Sequence, residues 1–268
     1  MKDALLQLVA QQDSVAAKRN AAREYLQAYI LRMIHESKLF SCLSFMGGTA
    51  LRFLYDLPRF SEDLDFSLDE PEEDVLQKIL DRAEKELPQA GYDISISFSG
   101  KRAVHGAFIR FQGLPFELGF SGQASEKFAI KLKIDTNPPK GAIPETTVIH
   151  RHFPLAIRHH NIASLFSGKL MAVLSRTYTK GRDYYDLLWY LTRWKKLSPN
   201  LEYMNAGLQQ SGWEGKPVTG DGWKGLLVEK FQKVSWEKIQ TDVRPFLERP
   251  DDAQLLTMEN IVKLLENA

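Results

Sequence analysis

Two short groups of residues in the first quarter of the chain have the types and the spacing needed to hold a nucleotide. Gly47 and Gly48 close a short apolar run that predicts a buried strand, and Asp63 and Asp65 lie on the next predicted strand. Glycines between a strand and a helix let the backbone approach a phosphate closely, and the first turn of the helix presents N–H groups to that anion. Thr49 adds a hydroxyl at the same turn.

The two aspartates point to the same face of their strand, because successive side chains of a strand alternate in direction. Two carboxylates at this spacing repel each other unless a cation lies between them, and their oxygen atoms suit Mg²⁺, which takes its other ligands from water and substrate phosphates. Each feature alone has an ordinary explanation, a turn for the glycines and a solvated strand face for the acids. Together, in this order, they predict a site for a nucleoside triphosphate and Mg²⁺.

A third carboxylate is available on a later strand. The segment Lys127–Asp135 alternates between polar and apolar residues, which predicts a strand with one face in a core and the other toward a cleft or solvent. We expect Asp135, at its end, to complete the metal site and to take the proton from an acceptor hydroxyl. The alternative is an aspartate that starts the turn before Asn137-Pro138.

Charged residues also recur at helical spacing in the second half. On a helix predicted over residues 180–196, Arg182 and Asp186 are four residues apart and Asp183 and Asp186 are three apart, so these side chains share a face. An ion pair within the helix explains Arg182 and Asp186 equally well. From the residues alone, we predict that Lys169 lies on the exposed surface of the preceding helix.

The composition is that of a folded protein without an overall nucleic-acid signature. The 268 residues are 44% hydrophobic, with 35 basic and 34 acidic residues, which allows one substantial core or a sheet-based core plus a helical part. The single cysteine, Cys42, excludes an internal disulfide. No apolar run has the length of a membrane span, and no secretory signal pattern is present. We therefore expect a soluble, cytoplasmic protein with no membrane partner.

The charge is distributed unevenly along the chain. Between Arg151 and Lys196 there are nine basic residues and two acidic ones, whereas the segment Glu62–Glu86 is strongly acidic. A basic flank beside an acidic metal pocket suits an RNA backbone. A solvated helix face explains the same residues equally well.

Several blocks of the sequence resemble the AbiEii/AbiGii toxin family, which comprises nucleotidyltransferase-like toxins of type IV toxin–antitoxin and abortive-infection systems. The resemblance runs roughly from residue 40 to residue 190, and both ends of the chain match only in being helical. One departure is Thr49, which stands where many members have serine. The matching blocks are Gly47–Arg52, Arg59–Phe66, Lys131–Asp135, Lys169–Ala172 and, after Arg176, Lys180–Leu187.

The resemblance implies a role for each matching residue. Asp63 and Asp65 would bind the metal ion, Lys169 would contact the triphosphate, and Asp183 is the acid of the family's Arg-Asp motif. The expected nucleotide-binding residues are Gly47, Gly48, Thr49, Arg59, Ser61 and Arg182. The expected catalytic residues are Asp63, Asp65, Asp135, Lys169 and Asp183.

We therefore predict an α+β protein with a polymerase-beta-like nucleotidyltransferase fold, a mixed sheet with flanking helices followed by a helical C-terminal part. Residues 1–155 would form the nucleotidyltransferase core with an N-terminal helix, and residues 156–268 a helical domain that completes the active-site cleft. The helices are expected near residues 14–40, 49–55, 71–88, 161–175 and 180–196, the strands near 42–46, 63–66, 92–98, 104–111 and 127–135, and a long glycine-rich loop over 207–225.

The expected function is the Mg²⁺-dependent transfer of a nucleotide from a nucleoside triphosphate to an acceptor hydroxyl by the toxin of a toxin–antitoxin pair. The resemblance adds the 3′ end of tRNA as an acceptor and a cognate antitoxin as a partner. Two alternatives are a small-molecule nucleotidyltransferase that modifies an antibiotic hydroxyl and a catalytically silent binding module with the same fold. The aspartates at both position 63 and position 65 argue against the silent module.

Overall fold

The structure is a computed structural model that describes residues 1–101 and 103–267. Strands and helices alternate in the first part of the chain, and helices follow. The strands are β1 (Leu43–Met46), β2 (Asp63–Leu68), β3 (Ile94–Lys101), β4 (Val104–Gln112), β5 (Lys127–Asp135), β6 (Pro144–Ile149) and β7 (Leu155–His160). The helices are α1 (Lys2–Ala10), α2 (Val15–Glu36), α3 (Gly47–Tyr55), α4 (Val75–Gln89), α5 (Leu114–Glu117), α6 (Ile162–Ser175), α7 (Gly181–Arg193), α8 (Leu201–Gln210), α9 (Gly222–Phe231), α10 (Trp236–Val243) and α11 (Met258–Glu266).

The strands form one mixed sheet in the order β3-β4-β5-β2-β1-β7-β6. Strand β2 runs antiparallel to β1 and parallel to β5, and β4 is antiparallel to both β3 and β5. Helices α2 and α4 pack against each other and against the sheet. The predicted α+β architecture, a mixed sheet with flanking helices, is therefore confirmed.

The chain divides into two compact units. The first unit contains Met1–Leu54, Phe60–Asn137 and Thr146–His159, and the second contains Tyr55–Arg59, Pro138–Glu145 and His160–Ala268. Two short segments that precede the later helices in the sequence thus belong to the same unit as those helices.

The core of the first unit lies against one face of the sheet. This face carries the apolar residues of the strands in which polar and apolar residues alternate. Leu64 and Phe66 of β2 and Leu132 of β5 are fully buried, and Phe66 packs on Phe45 of β1 with ring centroids 5.3 Å apart. Helix α2 begins where predicted, because the side chain of Ser14 accepts a hydrogen bond from the backbone N–H of Ala17. Among the described residues, no helix is both long and apolar enough to cross a membrane.

Helix α4 begins at Val75, four residues later than predicted. Asp74 has a φ of +54° and therefore lies in the left-handed region, which a right-handed helix cannot contain. The apolar residues of α4 are buried from Val75 to Leu87, as their spacing predicts.

In the second unit, a buried aromatic cluster replaces part of the predicted glycine-rich loop. Helix α8 continues through Gly207 to Gln210, and α9 begins at Gly222, which limits the connection to residues 211–221. Trp223 of α9 is only 2% exposed and packs on Phe166 with ring centroids 5.4 Å apart. The glycines suggested a loop, but burial of this indole favours the helix.

The two tryptophans of this region test the assignment. We expect Trp223→Ala to lower the free energy of unfolding by about 3–5 kcal/mol, because it leaves a cavity in the core of the second unit. The half-buried Trp213 serves as the control, with an expected loss of less than about 1.5 kcal/mol for Trp213→Ala. Urea denaturation followed by circular dichroism measures both. Equal losses would contradict the assignment.

Candidate active site

The glycine turn joins a strand directly to a helix. Strand β1 ends at Met46 and α3 begins at Gly47. Gly47 has a φ of +78°, which side chains other than glycine rarely adopt. A Cβ atom at Gly47 would lie 2.8 Å from Oδ2 of Asp65, so the turn and the carboxylate are packed against each other. Gly48 follows as the second, buried residue of α3.

Thr49 is a buried residue that helps to position strand β2, which carries Asp63 and Asp65. Its side chain is completely buried, and its hydroxyl donates a hydrogen bond to the backbone carbonyl of Asp63. The sequence predicts that this hydroxyl faces a nucleotide. In the structure it instead fixes the start of β2 against α3.

Asp63 and Asp65 lie on one face of β2, as predicted. Their side chains are 31% and 28% exposed, whereas the residue between them, Leu64, is fully buried. Lys133, the partner of Asp65 across the parallel pair of β2 and β5, donates to Asp63 and places Nζ 3.5 Å from Oδ1 of Asp65. Burial lowers the pKa of Lys133, but the carboxylates of Asp65 and Asp63 outweigh it, and the pKa is raised.

Asp135 is not the register partner of either aspartate. It is the partner of Ser67 in the β2–β5 register, one side-chain repeat beyond Asp65, or about 7 Å along the strand. One of its carboxylate oxygens accepts the backbone N–H of Asn137 at 3.0 Å, which is the turn geometry that the sequence offered as the alternative. Burial raises the pKa of Asp135, partly offset by that hydrogen bond. Lys133, rather than Asp135, is thus the residue of β5 directly beside Asp65, and the role of Asp135 as a third metal ligand stays a prediction.

The donor set of the pair fits Mg²⁺. Among residues 1–101 and 103–267 there is no group of three acidic, histidine or cysteine side chains that could enclose an ion. Mg²⁺ does not need such a cage, since it is commonly held by one or two carboxylates together with substrate phosphates. Asp63 and Asp65 supply that number of hard oxygen ligands on an accessible face.

A buried ion network holds the helix that follows the glycine turn. Glu24 of α2 accepts from Nε of Arg52 in α3 at 2.6 Å and from Nε of Arg151 at 3.0 Å, and His152 lies 3.4 Å away. Burial would raise the pKa of Glu24, but the His152 hydrogen bond and the two guanidinium charges lower it to about 2. The network ties α2, α3 and the β6–β7 connection together.

A second group of charges lies in the second unit around Asp186. This fully buried carboxylate accepts from Nε and Nη2 of Arg59, both at 2.6 Å, and from Nζ of Lys169 at 2.6 Å. Burial raises the pKa of Asp186, but Arg59 and Lys169 lower it further than burial raises it. Arg59, predicted to bind nucleotide, is itself 2% exposed. Its guanidinium holds α7 to the Tyr55–Arg59 segment, because Asp186 fixes it in two places.

Asp183, which is only 4% exposed, belongs to the same group. Its carboxylate accepts from Lys169 at 3.2 Å and from Arg176. Lys180 lies nearby, and burial together with the charges of Arg182 and Arg176 lowers its pKa. The structure thus brings the predicted residues Lys169 and Asp183 together.

Two predicted nucleotide-binding residues contact other parts of the chain. The guanidinium of Arg182 lies over the ring of Phe246, 4.0 Å from its centroid. Ser61 is half-buried, and its backbone carbonyl accepts from the side chain of Gln27 at 3.1 Å.

Several basic residues of the stretch predicted to flank the site form ion pairs. Arg151 pairs with Glu24, and Arg158 lies 3.5 Å from Asp69. Sequence reasoning also missed Lys133 and Arg176 as members of the charged groups. The polar face of β5 contained the signal for Lys133, but its partner could be identified only from the strand register.

A mixed sheet that carries a glycine turn and an accessible carboxylate pair at the start of the next strand defines the class of nucleotidyltransferases. The chain belongs to the nucleotidyl transferase AbiEii toxin family of type IV toxin–antitoxin systems, whose family model matches residues 29–258. This confirms the resemblance seen in the sequence and implies a cognate antitoxin. No curated protein matches the chain by sequence.

Solved structures show the same fold. A putative nucleotidyltransferase from Helicobacter pylori matches with a TM-score of 0.53 and 20% identity, over 89% of this chain and 94% of that one. JHP933 from Helicobacter pylori matches with a TM-score of 0.53 and 20% identity, over 90% and 88%. MenT4, the nucleotidyltransferase toxin Rv2826c from Mycobacterium tuberculosis H37Rv, matches with a TM-score of 0.51 and 17% identity, over 99% of both chains. The nucleotidyltransferase fold is therefore confirmed.

The glycine turn gives a direct test of the packing at the acid pair. We expect Gly47→Ala to lower the free energy of unfolding by about 2–3 kcal/mol, because Cβ strains the backbone and clashes with Asp65. Gly225→Ala is the control, since no atom lies within 4 Å of its added Cβ and alanine should stabilise α9 by about 0.5–1 kcal/mol. Urea denaturation measures both variants. A neutral effect at Gly47 would show that the turn tolerates a side chain.

The Glu24 network predicts a loss of stability in acid. The folded pKa of about 2 lies below the ordinary value of 4.5, so the contribution is complete above pH 4.5 and is lost as the pH falls toward 2. We expect Glu24→Gln to be less stable than wild type by about 3 kcal/mol at pH 7, with the difference shrinking toward pH 2. Urea denaturation at several pH values measures it, with the exposed Glu84→Gln as control. A difference that does not change with pH would contradict the network.

Proposed function

We propose that the chain transfers a nucleotide from a nucleoside triphosphate to a hydroxyl group of RNA, in a Mg²⁺-dependent reaction that releases pyrophosphate. The observation that carries this proposal is the accessible Asp63–Asp65 pair, packed against the Gly47 turn, in a member of a nucleotidyl transferase toxin family.

The first unit would hold the triphosphate and its ion. Asp63 and Asp65 would bind Mg²⁺, which supplies charge stabilisation at the phosphates when it is bound. The backbone N–H groups at the start of α3 would bind phosphate oxygens, for which a helix N-terminus is suited. Thr49 and Gly47 act indirectly, because they fix the positions of the two aspartates.

The family resemblance adds Lys169 and Asp183, which form a charged group with Arg176. Lys169 and Arg176 carry charges suited to the phosphate oxygens that become more negative during transfer. We assign proton acceptance to Asp183, which is held in place by these two cations. Asp135 is the competing assignment, and its position beside Ser67 rather than Asp65 argues against it.

RNA is the acceptor class that fits the family best. A toxin must block an essential process, and a nucleotide added to the 3′ end of tRNA would stop translation. The structural relative MenT4 is described as a nucleotidyltransferase toxin, which agrees with a transfer reaction. A cognate antitoxin would then restrain this activity in the cell.

Label transfer tests the reaction. Purified protein, Mg²⁺ and total tRNA are incubated with each α-labelled nucleoside triphosphate in turn, and label on RNA is measured after electrophoresis. We expect wild type and Glu62→Ala to label tRNA, and Asp65→Ala to lose at least about 100-fold of the rate. Glu62 is the matched control. It is an acidic residue next to Asp63 in the sequence, but its side chain pairs with Arg23 and is not part of the predicted site.

The other outcomes identify the alternatives. Label retained by Asp65→Ala would overturn the assignment of the site. Nucleotide binding without labelled RNA would favour a small-molecule acceptor, and the absence of nucleotide binding would favour the silent module. Periodate oxidation of the tRNA removes the 3′ hydroxyl and should abolish labelling if that group is the acceptor.

A further inference from the structure

Lys133 occupies the place between the two carboxylates where a cation is needed. Its Nζ contacts Oδ2 of Asp63 and lies 3.5 Å from Oδ1 of Asp65. The three side chains are each between 28% and 32% exposed, so solvent screens these charges only in part. The carboxylates therefore already have a counter-cation that belongs to the protein.

A neighbouring lysine shows that this contact is specific. Lys131 lies two residues earlier on β5 and is the register partner of Asp63. Its Nζ nevertheless lies over the ring of Phe108, 4.9 Å from the centroid. Of these two lysines on one strand face, Lys133 is the one whose ion pairs join it to both aspartates.

A divalent ion at the same carboxylates would meet the ammonium group at close range. Like charges separated by a few ångströms repel strongly where solvent is partly excluded. A triphosphate brings several negative charges, which can accommodate both the ion and the lysine. Binding of the ion alone is thus opposed by Lys133, whereas binding of the ion together with phosphate is not.

We propose that Lys133 is a resident counter-cation that competes with the divalent ion for Asp63 and Asp65, so that the ion enters efficiently only as its complex with the triphosphate. This inference rests on the proposed function, because it takes the aspartate pair as the metal site. Lys133 is a positioning residue in this role. It keeps the acid pair assembled and disfavours an ion-filled site that lacks substrate.

Manganese binding tests the competition without measuring activity. Isothermal titration calorimetry is performed on the full chain, first with Mn²⁺ alone and then with preformed manganese tripolyphosphate. We expect Lys133→Met to bind Mn²⁺ alone about tenfold more tightly than wild type, because the competing charge is gone. It should bind manganese tripolyphosphate no more tightly than wild type does. Lys131→Met, the matched control, should behave as wild type in both titrations.

Thermal unfolding in EDTA provides a second, independent measurement. Lys133→Met should unfold at a lower temperature than wild type, because the two carboxylates then repel each other without compensation. Adding Asp63→Asn to this variant should restore much of the loss, and adding Mn²⁺ instead should stabilise Lys133→Met more than wild type. Lys133→Gln, which keeps a polar side chain, replaces Lys133→Met if the latter does not fold.

The remaining outcomes separate this inference from the proposed function. Equal Mn²⁺ affinities for wild type and Lys133→Met, with weaker binding by Asp63→Asn, would overturn the competition and leave the metal site in place. Unchanged Mn²⁺ binding by Asp63→Asn would place the ion elsewhere, and the proposed function would then lose its metal site as well.

Discussion

Two carboxylates held one residue apart on a strand face must be balanced by positive charge, and much of the first unit is organised around that requirement. Gly47 leaves room for the carboxylate of Asp65, whose Oδ2 would lie only 2.8 Å from a Cβ atom at this position. The hydroxyl of Thr49 holds the backbone carbonyl of Asp63 in place. Lys133 supplies the charge from β5. The two carboxylates therefore depend on this neighbouring positive charge. Under the proposed function, the pair would bind a ligand that brings its own cation.

The second unit applies the same electrostatic rule in a buried setting. Asp186 is completely buried, and its charge is balanced by Arg59 and Lys169. Removing one partner of such a group typically costs about 3–5 kcal/mol, because the other charge is left buried and uncompensated. Lys169 also contacts Asp183, which is buried as well. A lysine expected from family resemblance to contact phosphate is thus also part of the structural core, and substitutions there must be read with stability measured alongside activity.

The sequence predicted most of the architecture because alternation and helical spacing are local patterns. Strand β5 and the face of β2 that carries Asp63 could be predicted from period-two alternation alone. The partner of the acid pair could not, since it depends on the β2–β5 register, which places Lys133 rather than Asp135 beside Asp65. The family resemblance likewise predicts that Arg59 binds the nucleotide, and its long-range contact with Asp186 leaves no trace in local spacing. For Trp223 the local pattern was misleading. The nearby glycines predict a loop, whereas the structure places the buried indole in helix α9.

The central claim is that the acid pair supports transfer of a nucleotide rather than hydrolysis or transfer of a terminal phosphate. Nucleoside triphosphate labelled at the α-phosphorus and at the γ-phosphorus in parallel reactions distinguishes these chemistries directly. The account predicts that α-label on RNA and γ-label in pyrophosphate appear in a one-to-one ratio, and that Asp63→Asn and Asp65→Asn lose both together. Transfer of γ-label to an acceptor, or release of γ-label as orthophosphate without α-label on RNA, would contradict it.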